Sequence, residues 1–454
     1  MSCEYFWERE KALLGQRLEA LFCSATETPA RGLTVNRLRC TPEQFQNLCG
    51  LSLKSSPFCK EGFLLPEGSE KPGKHPYHHA GVFYSQEPSA SAPASRLQAT
   101  PGKKVLDLCA APGGKSSQLA AALQGEGLLV SNEYVPARAK ILESNLERMG
   151  VPNALILNEN PQRIAEVFPG YFDCVLADVP CSGEGMFRKE EAASEQHSLA
   201  LVEQCASLGS EILDAAAVAT APGGLLVYST CTFSPEEDEQ QTARFLMRHP
   251  EFELLEWGSS YGSPGEENRC GDMSLDVGKV CRIWPCHGGE GHYMACFQKK
   301  GHAESFCNAA NRTDKSKDCP EWKDFAQRYF PMLTDRPVLL DRDRVYLPAC
   351  PNPFGLRIVR NGVFVGTMKK GRFDPSHHLF MAYGQLCNNT ERLTLRDPRV
   401  EQYLQGMTIL PETASDGWCA VLVDGFPLGG GKVNGGILKN HYPKGLRIMG
   451  RLAF

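Results

Sequence analysis

The sequence lacks the features of membrane-spanning and secreted proteins. None of its apolar runs approaches the roughly 18 residues that a transmembrane helix needs. The first residues, MSCEYFWEREK, do not show the order of a signal peptide, in which a charged segment precedes an apolar one. We therefore expect a cytoplasmic protein with no membrane partner. At 454 residues, with 42% hydrophobic and 22% charged residues, the chain is long enough for roughly two to four globular domains.

The 19 cysteines lack the spacing of a disulfide framework or of a metal site. Their number is odd, and no C-x-x-C occurs. Cys281, Cys286 and His287 lie close together, but no second ligand pair stands at zinc spacing. We expect no metal, and we expect most of the thiols to be small buried side chains.

The stretch VLDLCAAPGGKSSQL, residues 105–119, lacks the glycine spacing of two common nucleotide-binding motifs. It predicts a short buried strand, a loop of small residues and the start of a helix. Gly114-Lys115-Ser116 matches the end of a Walker A motif, but Cys109 stands where the first glycine is required, which argues against a nucleotide hydrolase. The G-x-G-x-x-G spacing of a dinucleotide site is also missing. S-adenosylmethionine (SAM), a nucleoside ligand without a diphosphate, suits the loop better than ATP or NAD.

Polar side chains follow the next predicted strands. Glu133 lies 20 residues after Gly113, where a carboxylate can accept hydrogen bonds from both ribose hydroxyls. Asn160 follows the third strand and is placed to reach an adenine, and Asp178 ends the fourth. These positions support a SAM site at one edge of a sheet.

Strands and helices alternate between residues 103 and 299, which predicts an α/β fold with a parallel sheet and helices on both faces. Ser234 is predicted to cap the last helix, with Glu237 completing a capping box. The last two strands follow without a helix between them and are predicted to pair antiparallel at the sheet edge. The seven predicted strands are 104–108, 128–132, 154–158, 173–177, 224–230, 252–257 and 292–299, and the helices are 114–123, 137–149, 197–219 and 235–248.

The flanking segments differ in character. Residues 1–98 predict a small α+β module with a helix capped by Thr41, and the Pro-, Gly-, Ser- and His-rich stretch 66–96 is predicted to be irregular. Residues 99–300 form the α/β domain, 301–320 a linker, and 321–454 a β-rich region of one or two small domains. Within the last region, Asn361-Gly362 before Val363 and Val365 predicts a hairpin turn.

The charge is unevenly distributed. Residues 99–319 hold 19 Lys and Arg against 31 Asp and Glu, whereas residues 320–454 hold 18 against 12. The basic tail could meet nucleic-acid phosphates, although an ordinary basic surface fits the same numbers. It also mixes basic, polar and aromatic residues as RNA binding requires, namely Lys432, Lys439, Asn440, His441, Tyr442, Lys444 and Arg447.

Three loops, LDLCAAPGGKSSQLA, ADVPCSGEGMFRK and YSTCTFSPEEDE, together resemble those of the RsmB/RsmF (NOP2/Sun) RNA 5-methylcytosine methyltransferases. The likeness extends to PGKHPYHHAGVFYSQEPSA and RIWPCHGGEGHYMACFQ, and the tail DGFPLGGGKVNGGILKNHYPKGLR is similar to the PUA-like end of the RsmF branch. The resemblance implies a Rossmann-like class I methyltransferase domain with a seven-stranded sheet, between an N-terminal RNA-binding module and a PUA-like RNA-binding region.

The resemblance also implies the site residues. It assigns SAM binding to Cys109, Ala110, Ala111, Pro112, Gly113, Gly114, Lys115, Glu133, Asn160 and Asp178. The family usually has Asp where this chain has Asn160, and an amide can still hydrogen-bond adenine. Cys231 is implied as the nucleophile, Cys181 as the residue that assists release, and Asp178 as a catalytic residue beside the base.

Cytosine carbon 5 is too weak a nucleophile to take a methyl group directly, which explains the need for a thiol. A thiolate that adds to carbon 6 makes carbon 5 nucleophilic, and a base later removes the carbon 5 proton so that the thiol can leave. The residues alone do not order the two thiols, because DNA cytosine methyltransferases attack from a Pro-Cys such as Pro180-Cys181.

Several alternatives remain open from the sequence. Cys109 is expected to be a packed small residue, Lys115 a structural contact, and His292 a packing or hydrogen-bonding residue at a strand end. Arg188 and Lys189 fit either RNA contacts or a plain surface. We expect a monomeric enzyme that methylates small-subunit rRNA, possible alternatives being a tRNA cytosine methyltransferase or a non-catalytic RNA-binding or ribosome-assembly factor. The two cysteines argue against the last, since a binding protein needs neither.

Overall fold

The computed structural model describes residues 4–23, 28–301, 319–351 and 355–452. Within these residues, the central sheet has nine strands, eight from the middle of the chain and one from the C-terminal region. Smaller four-stranded sheets lie in the N-terminal and C-terminal regions. In the described residues, no helix is both long and apolar enough to cross a membrane.

The N-terminal region is a small α+β module, as predicted. Thr41 caps α3 with a capping box in which Gln44 is the partner. Its antiparallel sheet has the order β2-β3-β1-β4. The elements are α1 (Glu4–Leu14), α2 (Leu18–Phe22), β1 (Gly32–Val35), α3 (Pro42–Leu48), β2 (Lys54–Ser55), β3 (Gly62–Leu64), α4 (Pro76–His79), β4 (Phe83–Gln86) and α5 (Ala92–Arg96).

The prediction of an irregular stretch at 66–96 was wrong. This stretch contains α4, β4 and α5. Pro76 and Pro93 occupy first-turn helix positions, where proline costs no hydrogen bond. The prolines that suggested a loop therefore start helices.

The central region confirms the predicted α/β fold, and all seven predicted strands are present. The elements are β5 (Lys104–Asp107), α6 (Gly114–Leu123), β6 (Leu128–Asn132), α7 (Pro136–Arg148), β7 (Ala154–Leu157), α8 (Pro161–Val167), β8 (Phe172–Asp178), α9 (Glu191–Gln196), α10 (Leu199–Ala219), β9 (Thr220–Thr230), α11 (Glu239–Arg248), β10 (Phe252–Leu255), β11 (Cys281–Ile283) and β12 (His292–Lys299).

The sheet has two strands more than the seven expected, because β11 pairs with β12 and β15 (Ile358–Asn361) joins from the C-terminal region. Its order is β10-β12-β9-β8-β5-β6-β7-β15. The five strands β5 to β9 are parallel, and β12 pairs antiparallel with both β9 and β10. Helices α6 and α7 contribute to the core on one face, and α8, α10 and α11 contribute to the core on the other. Strands β6 and β7 lie on one side of β5, and β8 and β9 lie on the other. The carboxyl ends of β5 and β8 therefore border a cleft of the kind in which parallel sheets bind ligands.

The predicted start of the last helix was wrong. Helix α11 begins at Glu239, with Asp238 as its N-cap residue. The side chain of Glu237 does not return to Ser234 but accepts hydrogen bonds from Ser182. Because the Glu237 carboxylate binds Ser182, it is not available to form the capping box. Residues 235–238 form a turn before the helix.

The C-terminal region contains two four-stranded sheets, one within residues 339–375 and one within residues 390–440. One strand, β15, instead joins the central sheet antiparallel to β7. The elements are α12 (Pro320–Tyr329), β13 (Leu339–Asp341), β14 (Arg344–Leu347), β15 (Ile358–Asn361), β16 (Val363–Lys369), β17 (Arg372–Pro375), α13 (His377–Tyr383), β18 (Thr390–Leu393), α14 (Pro398–Leu404), β19 (Gly417–Val423), β20 (Phe426–Asn434) and β21 (Ile437–Asn440). Most of the predicted linker 301–320 lies outside the described residues.

The hairpin predicted at Asn361-Gly362 was wrong. The chain leaves the central sheet at Asn361 and enters the first C-terminal sheet at Val363, so the two flanking strands belong to different sheets. The Asn361 amide is held by the backbone of Ala349 and Cys350, through bonds of 2.8 to 3.4 Å. The Asn-Gly pair makes a crossing between two sheets.

The N-terminal and C-terminal regions share one hydrophobic core. Leu33, Phe45 and Phe83 are in the same buried cluster as Val421 and Tyr442. The hydroxyl of Tyr77 donates to Asp424 over 2.7 Å, and His79 contacts the Tyr442 hydroxyl at 3.0 Å. The two ends of the chain are therefore joined beside the central sheet.

Candidate active site

The first predicted loop follows β5 and leads into α6. Gly113 has φ +115°, in the left-handed region that favours glycine. At Gly114 a Cβ would lie 2.4 Å from Oε1 of Gln86, so glycine lets α6 pack closely on β4. From α7, Arg138 and Asn145 donate to the carbonyls of Ala111 and Pro112 at 2.9 and 2.8 Å. The loop is thus held from both sides.

A buried carboxyl lies under this loop. Oδ2 of Asp107 accepts a hydrogen bond from the Ser116 hydroxyl at 2.7 Å, whereas Oδ1 has no partner among the described residues. Burial raises the pKa of Asp107 to about 7. Burial also keeps the pKa of Cys109 well above its usual value, so its thiol stays protonated, in agreement with the prediction of a packed residue.

Glu133 and Asn160 both lie at carboxyl ends of strands, as predicted. Glu133 is buried, its Oε1 accepts the Val135 N–H at 2.8 Å, and its Oε2 lies 3.4 Å from Arg138. Asn160 is exposed and caps α8, a helix that the sequence analysis missed, by accepting the Gln162 N–H. The amide nitrogen of Asn160 is not used by that cap.

Asp178 is paired with Lys115, a contact that the sequence did not predict. The Lys115 ammonium donates to Oδ2 at 2.7 Å, and the Ser229 hydroxyl donates to Oδ1 at 2.6 Å. Burial opposes ionisation, but Lys115 and these hydrogen bonds lower the pKa of Asp178 below its usual value. The carboxylate is therefore fixed in its charged form between the first and third loops.

The structure brings Cys181 and Cys231 together. Their Sγ atoms are 3.3 Å apart, and the Cys231 N–H donates to the Sγ of Cys181 at the same distance. The hydrogen bond with Cys231 and burial raise the pKa of Cys181 well above its usual value. Cys181 is thus a protonated thiol beside Cys231, with Asp178 three residues before it.

Glu237 ties the two cysteine loops to each other. It accepts the N–H and the hydroxyl of Ser182 at 2.9 and 2.5 Å, and that hydroxyl contacts Thr232 at 2.7 Å. Burial raises the pKa of Glu237 to about 8. In the sequence, Glu237 was singled out only as the predicted partner of Ser234 in a helix capping box, and its contact with Ser182 was not predicted.

Glu184 clamps the same loops to the N-terminal helix α1. Its carboxylate accepts two hydrogen bonds from Arg9, at 2.9 and 2.7 Å, one from His197 at 2.8 Å and the Phe233 N–H at 3.0 Å. Together these partners keep the pKa of Glu184 at about 2 despite its burial. Nothing in the local sequence indicated this clamp, because its members lie far apart in the chain.

The basic tail is only partly available to a ligand. Lys432, Lys439, His441 and Lys444 are exposed. Tyr442 is buried, so its ring cannot stack on a nucleic-acid base, and the Asn440 amide donates to backbone carbonyls at 2.7 and 2.9 Å. These two predicted contacts are structural.

Comparison with known families decides the identity. The model of the 16S rRNA methyltransferase RsmB/F family matches residues 94–298. Three others match the N-terminal domain of 16S rRNA methyltransferase RsmF at 3–88, the RsmF rRNA methyltransferase first C-terminal domain at 324–383, and the methyltransferase RsmF PUA domain at 390–448. The chain belongs to the RsmB/F family. It is a SAM-dependent methyltransferase, and the resemblance seen in its three loops is confirmed.

Individual relatives of this RsmB/F protein agree. Ribosomal RNA small subunit methyltransferase F of Enterobacter sp. (strain 638) is 29% identical over 471 residues, covering 99% of this chain and 96% of the relative. The protein of the same name from Vibrio parahaemolyticus is 40% identical over 227 residues, covering 48% of each. A methyltransferase homologue from Pyrococcus horikoshii is 30% identical, with a TM-score of 0.57, over 65% of this chain and 94% of its own.

Proposed function

We propose that this enzyme methylates carbon 5 of a cytosine in small-subunit rRNA, with Cys231 as the nucleophile. The observation that carries the proposal is the pair of thiols 3.3 Å apart, at the same sheet edge as the Asp178–Lys115 ion pair. A methyltransferase acting on oxygen or nitrogen needs no thiol, whereas carbon 5 of cytosine must first be activated by one.

The residues at the first loop fit SAM. Backbone groups of residues 109–114 border the cleft, Glu133 supports a ribose, and Asp107 offers a buried oxygen without a partner among the described residues. Asn160 retains an amide group that can reach an adenine edge. When bound there, SAM supplies an electrophilic methyl group.

The two thiols have different tasks in this proposal. The Cys231 thiolate adds to carbon 6 of the cytosine, which makes carbon 5 nucleophilic. Cys181, a protonated thiol in contact with Cys231, assists the elimination that later frees Cys231 from the product. The contact between the Sγ atoms suits this role, because a group that helps one sulfur to leave must lie beside it.

Asp178 and Lys115 handle the charge on the base. The Asp178 carboxylate can accept hydrogen bonds from the exocyclic amine of cytosine and from a proton on nitrogen 3, and so favours the protonated ring that takes up the electron pair of the attacking thiolate. Lys115 and Ser229 keep this carboxylate ionised and oriented. Lys115 is therefore a positioning residue for Asp178.

Ribosomal RNA is the proposed substrate for two reasons. Relatives that align over nearly their whole length are named ribosomal RNA small subunit methyltransferase F, and the C-terminal region of this chain is basic. The target cytosine must be single-stranded or flipped out, since carbon 6 is inaccessible within a stack. We propose that residues 1–98 and 321–454 are RNA-binding regions around the catalytic domain 99–300, and that the monomeric enzyme works in the cytoplasm.

Variants of the two cysteines test the mechanism. Cys231→Ala should abolish methyl transfer, because no other thiol replaces the attacking sulfur, while SAM binding measured by calorimetry stays near that of the wild type. Cys181→Ala should instead accumulate a protein–RNA adduct that survives denaturing electrophoresis. If Cys231→Ala traps the adduct and Cys181→Ala does not, the two roles are reversed, and full activity of Cys231→Ala contradicts the nucleophile assignment.

Bisulfite sequencing of total RNA from cells with and without the enzyme tests the substrate. A protected cytosine in small-subunit rRNA that depends on the enzyme supports the proposal. Protection found only in tRNA would contradict it.

A further inference from the structure

His292 begins β12, and Cys231 directly follows the end of the neighbouring strand β9. The antiparallel pairing of β12 with β9 ends at Tyr293 and Thr230, and one residue further the same register places His292 across from Cys231. Cross-strand neighbours in such a pair project to the same side of the sheet. His292 is 4% exposed, so its ring lies inside the protein at the edge where the catalytic loops meet.

The proton positions around His292 are set by Ser89 and Glu87. Both oxygens of Glu87 accept backbone N–H groups, from Glu290 at 3.1 Å and Ala90 at 2.8 Å, so this carboxylate is an acceptor. The Ser89 hydroxyl donates its single proton to Oε2 of Glu87 at 2.5 Å. The Ser89 oxygen must then accept from Nδ1–H of His292 at 2.9 Å, which leaves the lone pair of the neutral ring on Nε2.

The charged groups around His292 come from four parts of the chain. Glu87 lies 3.8 Å from Nδ1, and Lys115 on α6, Asp178 at the end of β8 and Lys189 after the second loop all act on its titration. Burial dominates and lowers the pKa of His292 below its usual value. The ring is therefore neutral at physiological pH and within electrostatic reach of the catalytic carboxylate.

We propose that Nε2 of His292, oriented by Ser89 and Glu87, accepts the proton of the Cys231 thiol and so generates the attacking thiolate. The S–H bond of Cys231 breaks, its electron pair stays on sulfur, and the proton forms an N–H bond at Nε2. The resulting imidazolium is stabilised through Nδ1–H, Ser89 and the Glu87 carboxylate. This inference rests on the proposed role of Cys231 as the nucleophile.

The other groups at the site are poorly suited to this proton transfer. Lys115 is an ammonium held by Asp178, which leaves it no lone pair. Asp178 accepts hydrogen bonds on both oxygens, and the Lys115 ammonium holds its negative charge. Cys181 is itself a protonated thiol. His292 is neutral, and its Nε2 lone pair lies at the position that the continued register places across from Cys231.

Alkylation of Cys231 by iodoacetamide, followed across pH 5.5 to 9.5 by site-resolved mass spectrometry on the full-length protein, tests the proposal without relying on methyl transfer. In His292→Gln the midpoint of the rate profile should rise by about one pH unit, and alkylation at pH 7 should fall about tenfold. Glutamine keeps a donor for Ser89 but cannot take a proton. Ser89→Ala should have a smaller effect of the same sign, because the base remains but its orientation is lost.

Methylation assays complete the test. His292→Gln should lower kcat at least about tenfold with KM for SAM unchanged. His249→Gln, a histidine that contacts Asp214, is the matched control and should change neither the alkylation profile nor kcat. Circular dichroism and SAM binding verify folding, and Ser89→Ala decides the question if His292→Gln does not fold.

An unchanged Cys231 alkylation profile in a folded His292→Gln or Ser89→Ala variant would overturn the inference. If the same variant also accumulates a denaturant-stable RNA adduct, His292 acts at the later removal of the carbon 5 proton instead. If only the nucleophile assignment is wrong, Cys231→Ala keeps its activity while the effect of His292 on Cys231 alkylation persists.

Discussion

At the scale of single residues, Gly362 determines how the chain passes from one sheet to the next. It has φ +68°, and a Cβ there would lie 2.0 Å from the carbonyl oxygen of Leu347. Asn361 beside it is anchored to the backbone of Ala349 and Cys350. Both the conformation and the close approach therefore require glycine at this position.

Gly362→Ala should destabilise the protein much more than Gly371→Ala. Gly371 has nearly the same φ, +67°, but nothing lies within 4 Å of its Cβ position, so alanine there costs only the backbone strain of about 1–2 kcal/mol. At Gly362 a collision with backbone adds about 1–3 kcal/mol more. Urea unfolding of both variants measures the difference, and equal losses would show that the close approach is unimportant.

The residues proposed for catalysis stand out in the sequence, but their supporting partners do not. Cys181, Cys231, Asp178 and the first loop stand in recognisable local strings. The Lys115–Asp178 pair depends on α6 starting beside the end of β8, which only the folded sheet establishes. Asn361 shows the same limit, because an Asn-Gly pair favours a turn whatever sheets its flanks join.

At the scale of elements, α1 is part of the active-site framework. Arg9 bonds to Glu184 in the second loop, and Glu10 forms a buried ion pair with Arg269. Phe6 packs against Phe187 and Phe233 at ring distances of 5.3 and 6.2 Å. One helix therefore holds the loops that carry both cysteines.

Arg9→Met should destabilise the protein by about 3 kcal/mol, because it removes both hydrogen bonds of the Arg9 guanidinium from the buried Glu184 carboxylate. We also expect kcat to fall about tenfold with little change in SAM binding, since the cysteine loops lose their anchor. Arg17→Ala is the control: Arg17 is 59% exposed in its pair with Glu266, and such pairs contribute under about 1 kcal/mol.

A double variant distinguishes the clamp from a general loss of packing. Arg9→Met combined with Glu184→Gln should cost less free energy of unfolding than the sum of the single variants, because each removes the charge that the other left unpaired. Strict additivity would contradict a direct coupling between the two side chains.

Hydrophobic periodicity correctly predicted the elements whose own residues carry the pattern. All seven strands have apolar runs of their own, and the long helices show apolar spacing. The short helix α8 was missed because it has only a few residues. The place of β15 in the central sheet was missed because its partner β7 lies some 200 positions earlier in the chain. The start of α11 depended on Ser182, which no local pattern could reveal.

At the scale of the whole molecule, two half-buried histidines line the contact between the two ends of the chain. His79 contacts the Tyr442 hydroxyl, and the His377 ring lies 5.4 Å from the same tyrosine ring. Burial lowers the pKa of His75, His79 and His377 to about 4. The native contact therefore holds these histidines in their neutral form.

Acid should weaken the protein through these histidines. In the unfolded chain they titrate near 6.5, so between pH 6.5 and about 4 the unfolded state binds more protons and stability falls as pH falls. Each histidine contributes a slope on the order of 1 kcal/mol per pH unit, and none of this loss is present above pH 6.5. Urea unfolding at pH 7 and pH 5 gives the loss of unfolding free energy between the two pH values. This loss should be smaller in the variant His79→Gln/His377→Gln than in the wild type, and unchanged in His249→Gln. An equal pH dependence in all three proteins would contradict the assignment.

The core shared by the two ends also determines when the N-terminal module can finish packing during translation. Translation delivers residues 33–83 first, and their packing partners Leu393 to Tyr442 last. The apolar face of the N-terminal module thus stays uncovered while the central sheet is being made. A chaperone that shields apolar surface during synthesis would have this face to protect until the final strands emerge.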